Sequence, residues 1–194
     1  VATIRSAAAA TFVVATLTVA CGSGSQKAST VPTTTTLTTS TIVDLTPPAN
    51  LPGVHTYPNL TQNHVQGTVK YPQTPPVGGD HAPTWQNCGF YSQPIVTEQG
   101  VHSMEHGAVW ITYSPDLPPD QVTVLRNLAH AQTYVLVSPF PGLPAPVVAS
   151  AWGTQLGLPS ATDAELAAFV KYYRNGPQTK EPGAPCTGAS GTPE

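Results

Sequence analysis

The chain has 194 residues, only 9% of them charged, with a formal net charge of −3 and a pI near 6.0. That length fits one domain, or one domain with a tail. Seven Lys and Arg spread along the chain make no basic patch, which excludes nucleic acid as an expected partner, and 22 prolines imply much loop and extended backbone.

Arg5 is followed by the apolar run AAAATFVVATLTVA and then Cys21. A charged start, an apolar stretch and small residues before a cleavage point make the pattern of an export signal, expected over residues 1–20. The run is too short and too rich in Ala and Thr for a membrane span. The stretch LTVACGSGS resembles a bacterial lipoprotein signal, in which the cysteine is lipidated and becomes the mature N-terminus. Cys21 is therefore the expected lipidation site, and an ordinary secretory signal with an incidental cysteine is the alternative. These features predict an extracytoplasmic protein anchored to the cell membrane through its lipid. Residues 21–50 are rich in Thr, Ser and Pro and nearly uncharged. Such a segment buries too little apolar surface to offset its ordering entropy, so it reads as a disordered tether. The globular domain is expected over 51–188 and a disordered tail over 189–194. With Cys21 lipidated, Cys88 and Cys186 remain as one pair, which an oxidising compartment would bridge.

Within the domain, HVQGTVKY reads as a strand over Val65–Tyr71. PQTPPVGGDHAPTWQNCGFY is a Pro/Gly-rich loop without periodicity. AVWITY, Ala108–Tyr113, is β-branched and aromatic and reads as a buried strand. A helix opens at Pro118 or Pro119, with Asp120 near its positive end and Val124, Leu125, Leu128 and Ala129 as its apolar face. Strands follow over Thr133–Ser138 and Pro146–Trp152. Thr162 and Glu165 fit a capping box. Leu166, Phe169, Val170 and Tyr173 then recur at helical spacing until Asn-Gly-Pro closes the helix at 175–177. The order predicts an α+β fold: a small mixed sheet, two helices packed on one face, and long Pro/Gly-rich loops.

The densest chemistry lies in EQGVHSMEHGAVWITY, Glu98–Tyr113. On a helix, His102 and His106 stand at i and i+4 with Glu105 beside them. That is H-x-x-E-H, the inverted zincin pattern of two zinc ligands and a glutamate general base. On a strand, His102, Met104 and His106 share one face instead, a set that suits copper. Gly100 and Gly107 flank the motif and leave at most a turn and a half of helix, which weakens the hydrolase alternative.

His81 lies in the Pro/Gly loop and His64 before the expected strand, both placed to fold back onto the motif. The expectation is one transition-metal ion, copper or zinc, held by His81, His102 and His106. His64, Glu105, Met104 and Asp80 are further candidates. His55 and His130 have no suitable neighbours, and Trp85, Trp110 and Trp152 are expected in the core. A third possibility is a non-catalytic scaffold or interaction module, which predicts His81 far from His102 and their nitrogens facing carbonyls or carboxylates. No G-x-S-x-G, phosphate loop, dinucleotide fingerprint or C-x-x-C is present.

Taken together, HVQGTVKYPQTPPVGGDHAPTWQNCGFY, VHSMEHGAVWITYSPDL, VSPFPGLPAPVVASAWG and EPGAPC resemble Domain of Unknown Function 3105, a bacterial family common in actinobacteria. The resemblance covers most of residues 60–188 and carries no activity. It implies an exported or membrane-anchored protein. His64, His81, His102, Glu105 and His106 match the family pattern, which usually has Leu where this chain has Met104.

Overall fold

A computed structural model describes residues 47–48 and 51–194. The expected signal segment, Cys21 and nearly all of the tether lie outside them. Among the described residues, no helix is long and apolar enough to cross a membrane.

The elements in chain order are β1 (His55–Thr56), β2 (Gly89–Phe90), α1 (Thr97–Glu105), β3 (Val109–Tyr113), α2 (Pro119–Ala131), β4 (Val135–Pro139), β5 (Val147–Ala151), β6 (Thr154–Leu158) and α3 (Ala164–Tyr173). One six-stranded mixed sheet runs β1-β6-β5-β3-β4-β2, so the fold is α+β. β3 and β4 pair in parallel because α2 returns the chain to the starting edge, as parallel neighbours require. β5 lies antiparallel to both β3 and β6.

Side chains alternate across a strand, and here both faces are covered. Val109, Ile111 and Tyr113 of β3 join Val135, Val137, Leu125, Ala129, Leu166, Phe169, Val170 and Tyr173 in the larger core. This is the expected face carrying two helices, α2 and α3. Trp110 and Leu136 point the other way and meet Val101, Met104 and Trp152. A third helix, α1, therefore closes the opposite face.

Several expectations are corrected. Residues 65–71 form no strand. Gly67 has φ +87°, and the Val69 N–H is taken by the Glu98 carboxylate (2.8 Å) rather than by a ladder. Residues 102–105 end α1, which is two and a half turns long where at most a turn and a half was expected, and His106 is its C-cap. β6 was hidden because TQLGL mixes Gln and Gly into an apolar run. Asp163, not Thr162, caps α3 by accepting the Glu165 N–H at 2.9 Å. Thr162 pairs with the Ser160 hydroxyl instead. Val124 is exposed, and Val122 packs on the core in its place. Residues 189–194, expected as a disordered tail, are hydrogen-bonded to the fold: the Asn87 N–H reaches the Ser190 carbonyl (2.8 Å) and Arg126 reaches the Glu194 carboxylate (2.8 Å).

Gly100 looked like a helix breaker, yet it sits inside α1. A Cβ there would lie 2.9 Å from the Trp110 ring, so the missing side chain lets α1 lie flat on the sheet. Gly100→Ala should gain helix propensity but overpack this contact, lowering stability by about 1–3 kcal/mol. Chemical denaturation of the two proteins checks this.

Candidate metal centre

On α1, residues three and four apart share a face. His102, Glu105 and His106 accordingly line one side of the helix, while Val101 and Met104 point into the sheet against Trp110 and Trp152. His102, Glu105 and His106 are all buried.

His81 reaches the same place from the Pro/Gly loop. Gly78 and Gly79 take φ +139° and +110°, values that favour glycine. A Cβ on Gly78 would also lie 2.8 Å from Leu60 and 3.1 Å from Trp152. This tight passage sets the His81 ring edge-on to Trp152, centroids 5.7 Å apart, with no solvent exposure. His64 arrives by pairing: the Val65 N–H meets the His81 carbonyl (2.8 Å) and the His81 N–H meets the Asn63 carbonyl (3.0 Å). The His64 ring stacks on His102, centroids 4.8 Å apart, and its side chain stays 46% exposed.

The hydrogen bonds fix the tautomers. His81 Nδ1 donates to the Gly79 carbonyl (2.8 Å), His102 Nδ1 to the Ala82 carbonyl (2.6 Å) and His106 Nδ1 to the Pro185 carbonyl (2.7 Å). A carbonyl only accepts, so each Nδ1 carries a proton; the rings of His102 and His106, when neutral, present Nε2 as a lone pair, whereas His81 Nε2 faces a carboxylate oxygen and donates to it. His102 Nε2 and His106 Nε2 face one another at 2.9 Å. Two lone pairs at that distance repel unless a positive charge lies between them. Burial, followed by the neighbouring charges of His106 and His81, holds the His102 pKa below the usual range against the pull of the Ala82 carbonyl.

His81 behaves differently. Its Nε2 meets Glu105 Oε2 at 2.8 Å. Burial opposes its charged form, but the Glu105 carboxylate and the Gly79 carbonyl outweigh burial and raise its pKa. Burial would likewise raise Glu105. The His81 hydrogen bond and charge, with His102 and His64 nearby, instead hold its carboxyl below the usual range. His64 Nε2 lies 3.6 Å from the same oxygen.

One ligand atom from each of His64, His81, His102 and Glu105 falls within 4.8 Å of the others. A second set on the same criterion is His102, His106 and Glu181. The expected triad of His81, His102 and His106 therefore divides at His102. Among the described residues, no set within that limit holds both His81 and His106.

The family model described as protein of unknown function (DUF3105) matches residues 64–188. The chain belongs to this family. The DUF3105 region opens at His64 and closes just past Cys186, so it contains both ligand sets and the two clustered cysteines. No curated protein and no solved structure matches the chain.

Within the DUF3105 region, Met104 is displaced from the ligand list. The helical backbone turns it away from His102 and His106 into the apolar cluster, where it is fully buried. Asp80 is drawn off by Asn63, whose amide donates to it at 2.9 Å. Cys88 and Cys186 are paired, Cα atoms 5.4 Å apart. His55 is exposed, and His130 Nε2 bonds the Glu194 carbonyl at 2.9 Å. Trp110 and Trp152 are buried as expected. Trp85 is not a core residue: it is half-buried and its ring covers His106, centroids 4.8 Å apart.

Glu181, whose carboxylate lies 3.4 Å from His106 Nε2, was not anticipated, because 75 residues separate it from the motif (181 − 106) and no spacing links them. Ser103 was also missed. It donates to the Gln86 carbonyl (2.7 Å) and accepts the Gln86 N–H (3.1 Å), fastening the loop to α1.

Proposed function

We propose that this domain binds one divalent transition-metal ion through its histidine cluster. One observation carries the reading: three buried histidines each commit Nδ1 to a backbone carbonyl and turn Nε2 toward shared space. Metal-binding histidines are held in this way, because the carbonyl fixes tautomer and ring orientation. The donors are imidazole and carboxylate, which suit Zn(II) or Cu(II). Met104 faces the core and the two DUF3105-region cysteines are paired, so the soft ligands that favour Cu(I) are missing from the described cluster.

The reading extends to location. The protein is exported and held at the membrane by lipid on Cys21, with the Thr/Pro-rich segment as a spacer. The Cys88–Cys186 pair supports an oxidising compartment.

Two other readings fare less well. The helical backbone meets one requirement of an H-x-x-E-H hydrolase. But Glu105 is fastened to His81 at 2.8 Å and close to His64, whereas a general base must be free to take a proton from water. A scaffold module predicted His81 far from His102, and their rings are 4.9 Å apart; its other prediction, ring nitrogens facing carbonyls or carboxylates, is met at both Nδ1 atoms and at His81 Nε2.

The test is metal loading of the exported domain. Dialysis against Zn(II) or Cu(II), then elemental analysis, should give one ion per chain. A hundredfold excess of free ion over Kd should add about 2.7 kcal/mol of stability. No bound ion and an unchanged melting temperature would sink the proposal.

A further inference from the structure

The two ligand sets meet only at His102. Its Nδ1 is held by the Ala82 carbonyl, so a single lone pair, on Nε2, serves both. One ion at a time can use it.

The sets differ in donor number and in access. His64, His81, His102 and Glu105 offer four donors, three of them on buried residues. His102, His106 and Glu181 offer three, and the Glu181 side chain is 51% exposed. Glu181 is nevertheless held in place. The N–H groups of Lys180 and Glu181 both reach the Glu105 carbonyl, at 3.2 and 3.1 Å. Glu105 thus serves both sets, with its carboxylate in the first and its carbonyl anchoring the exposed acid of the second. Trp85 stands over the junction, 5.8 Å from His102 and 4.8 Å from His106 between ring centroids.

We propose that the cluster gives one divalent cation two alternative positions. The three-donor set captures it at the surface, the four-donor set holds it, and His102 passes it between them. This rests on the metal-binding reading above. A pathway of this kind governs how fast the ion enters and leaves more than how tightly it is held. An exposed carboxylate at the mouth lowers the barrier in both directions, because the ion exchanges ligands one at a time instead of losing several together.

The experiment uses the full chain, Zn(II) and a chelating dye in stopped flow, with Glu181→Ala as the variant. The Glu181 side chain is 51% exposed and meets the buried residues at His106 Nε2, 3.4 Å away, with no packed apolar contact to lose, so the variant should fold. The expected result is one Zn(II) per wild-type chain, with Glu181→Ala slowing uptake and release by the same factor, tenfold or more, and Kd changing less than threefold. His106→Ala should show the same paired slowing.

Three outcomes overturn the relay while leaving metal binding intact: two ions bound per chain at once, uptake alone slowed as simple charge attraction would give, or no change in either rate. A wild-type chain that takes up no Zn(II) overturns the relay together with the reading beneath it.

Discussion

His102→Ala should remove metal-dependent stabilisation almost completely. His102 belongs to both ligand sets, so no other single change deprives the ion of both positions. Loss of a group that merely orients a ligand costs about 10–100-fold in affinity, and loss of this shared ligand should cost at least about 100-fold. At a free-ion concentration a hundred times the wild-type Kd, stabilisation should drop from about 2.7 to about 0.4 kcal/mol. At about 2–4 °C per kcal/mol, the metal-induced rise in Tm should shrink from about 5–10 °C to about 1 °C. The metal-free variant should still fold. Alanine favours a helix, and removing one of two opposed lone pairs offsets part of the cost of freeing the Ala82 carbonyl, about 1–3 kcal/mol. Because the readout is the shift on adding metal, that background drops out. A full-sized shift in His102→Ala would contradict the assignment.

The second large effect concerns the disulfide. Cys88 and Cys186 are 98 residues apart in sequence, and the loop-entropy model gives about 4.7 kcal/mol for a loop near that length. Replacing both with Ser should lower unfolding free energy by about 2–5 kcal/mol in a denaturant titration. It should also slow metal exchange. Pro185, whose carbonyl aims His106, precedes Cys186, and the Cys88 N–H bonds the Cys186 carbonyl at 2.7 Å. Freeing this segment releases the aim of His106 and the position of Glu181, so uptake and release of Zn(II) should slow together with little change in Kd. Unchanged rates in a folded double variant would show that the tail does not organise the site.

Sequence reading recovered the elements whose signals are local. β3, β4, β5, α2 and α3 follow from apolar periodicity, Pro at a helix start and a closing Asn-Gly-Pro. α1 was underestimated because Gly100 reads as a break until Trp110 is known to lie against it. β1 and β2 have two residues each, too few to show alternation, and exist because a neighbouring edge was free. The site was legible as a list of residues: His64, His81, His102, Glu105 and His106 do converge. Its arrangement was not, because the division at His102 depends on ring orientation set by carbonyls. Any residue supplies a carbonyl, so nothing in the letters marks Gly79, Ala82 or Pro185. Met104 was misjudged for a related reason: the choice between helix and strand periodicity decides which face it shares.

The three carbonyl tethers also differ in how far the chain must travel to make them. His81 finds its partner two residues away, His102 twenty away and His106 seventy-nine away. Short closures form early and long ones late. A nascent or half-folded chain therefore orients His81 first and His106 last. Fast exchange becomes a property of the finished molecule, and a chain stalled before its C-terminal segment docks would load its ion only slowly. Prompt loading would then act as a maturity mark, distinguishing completed copies from incomplete ones.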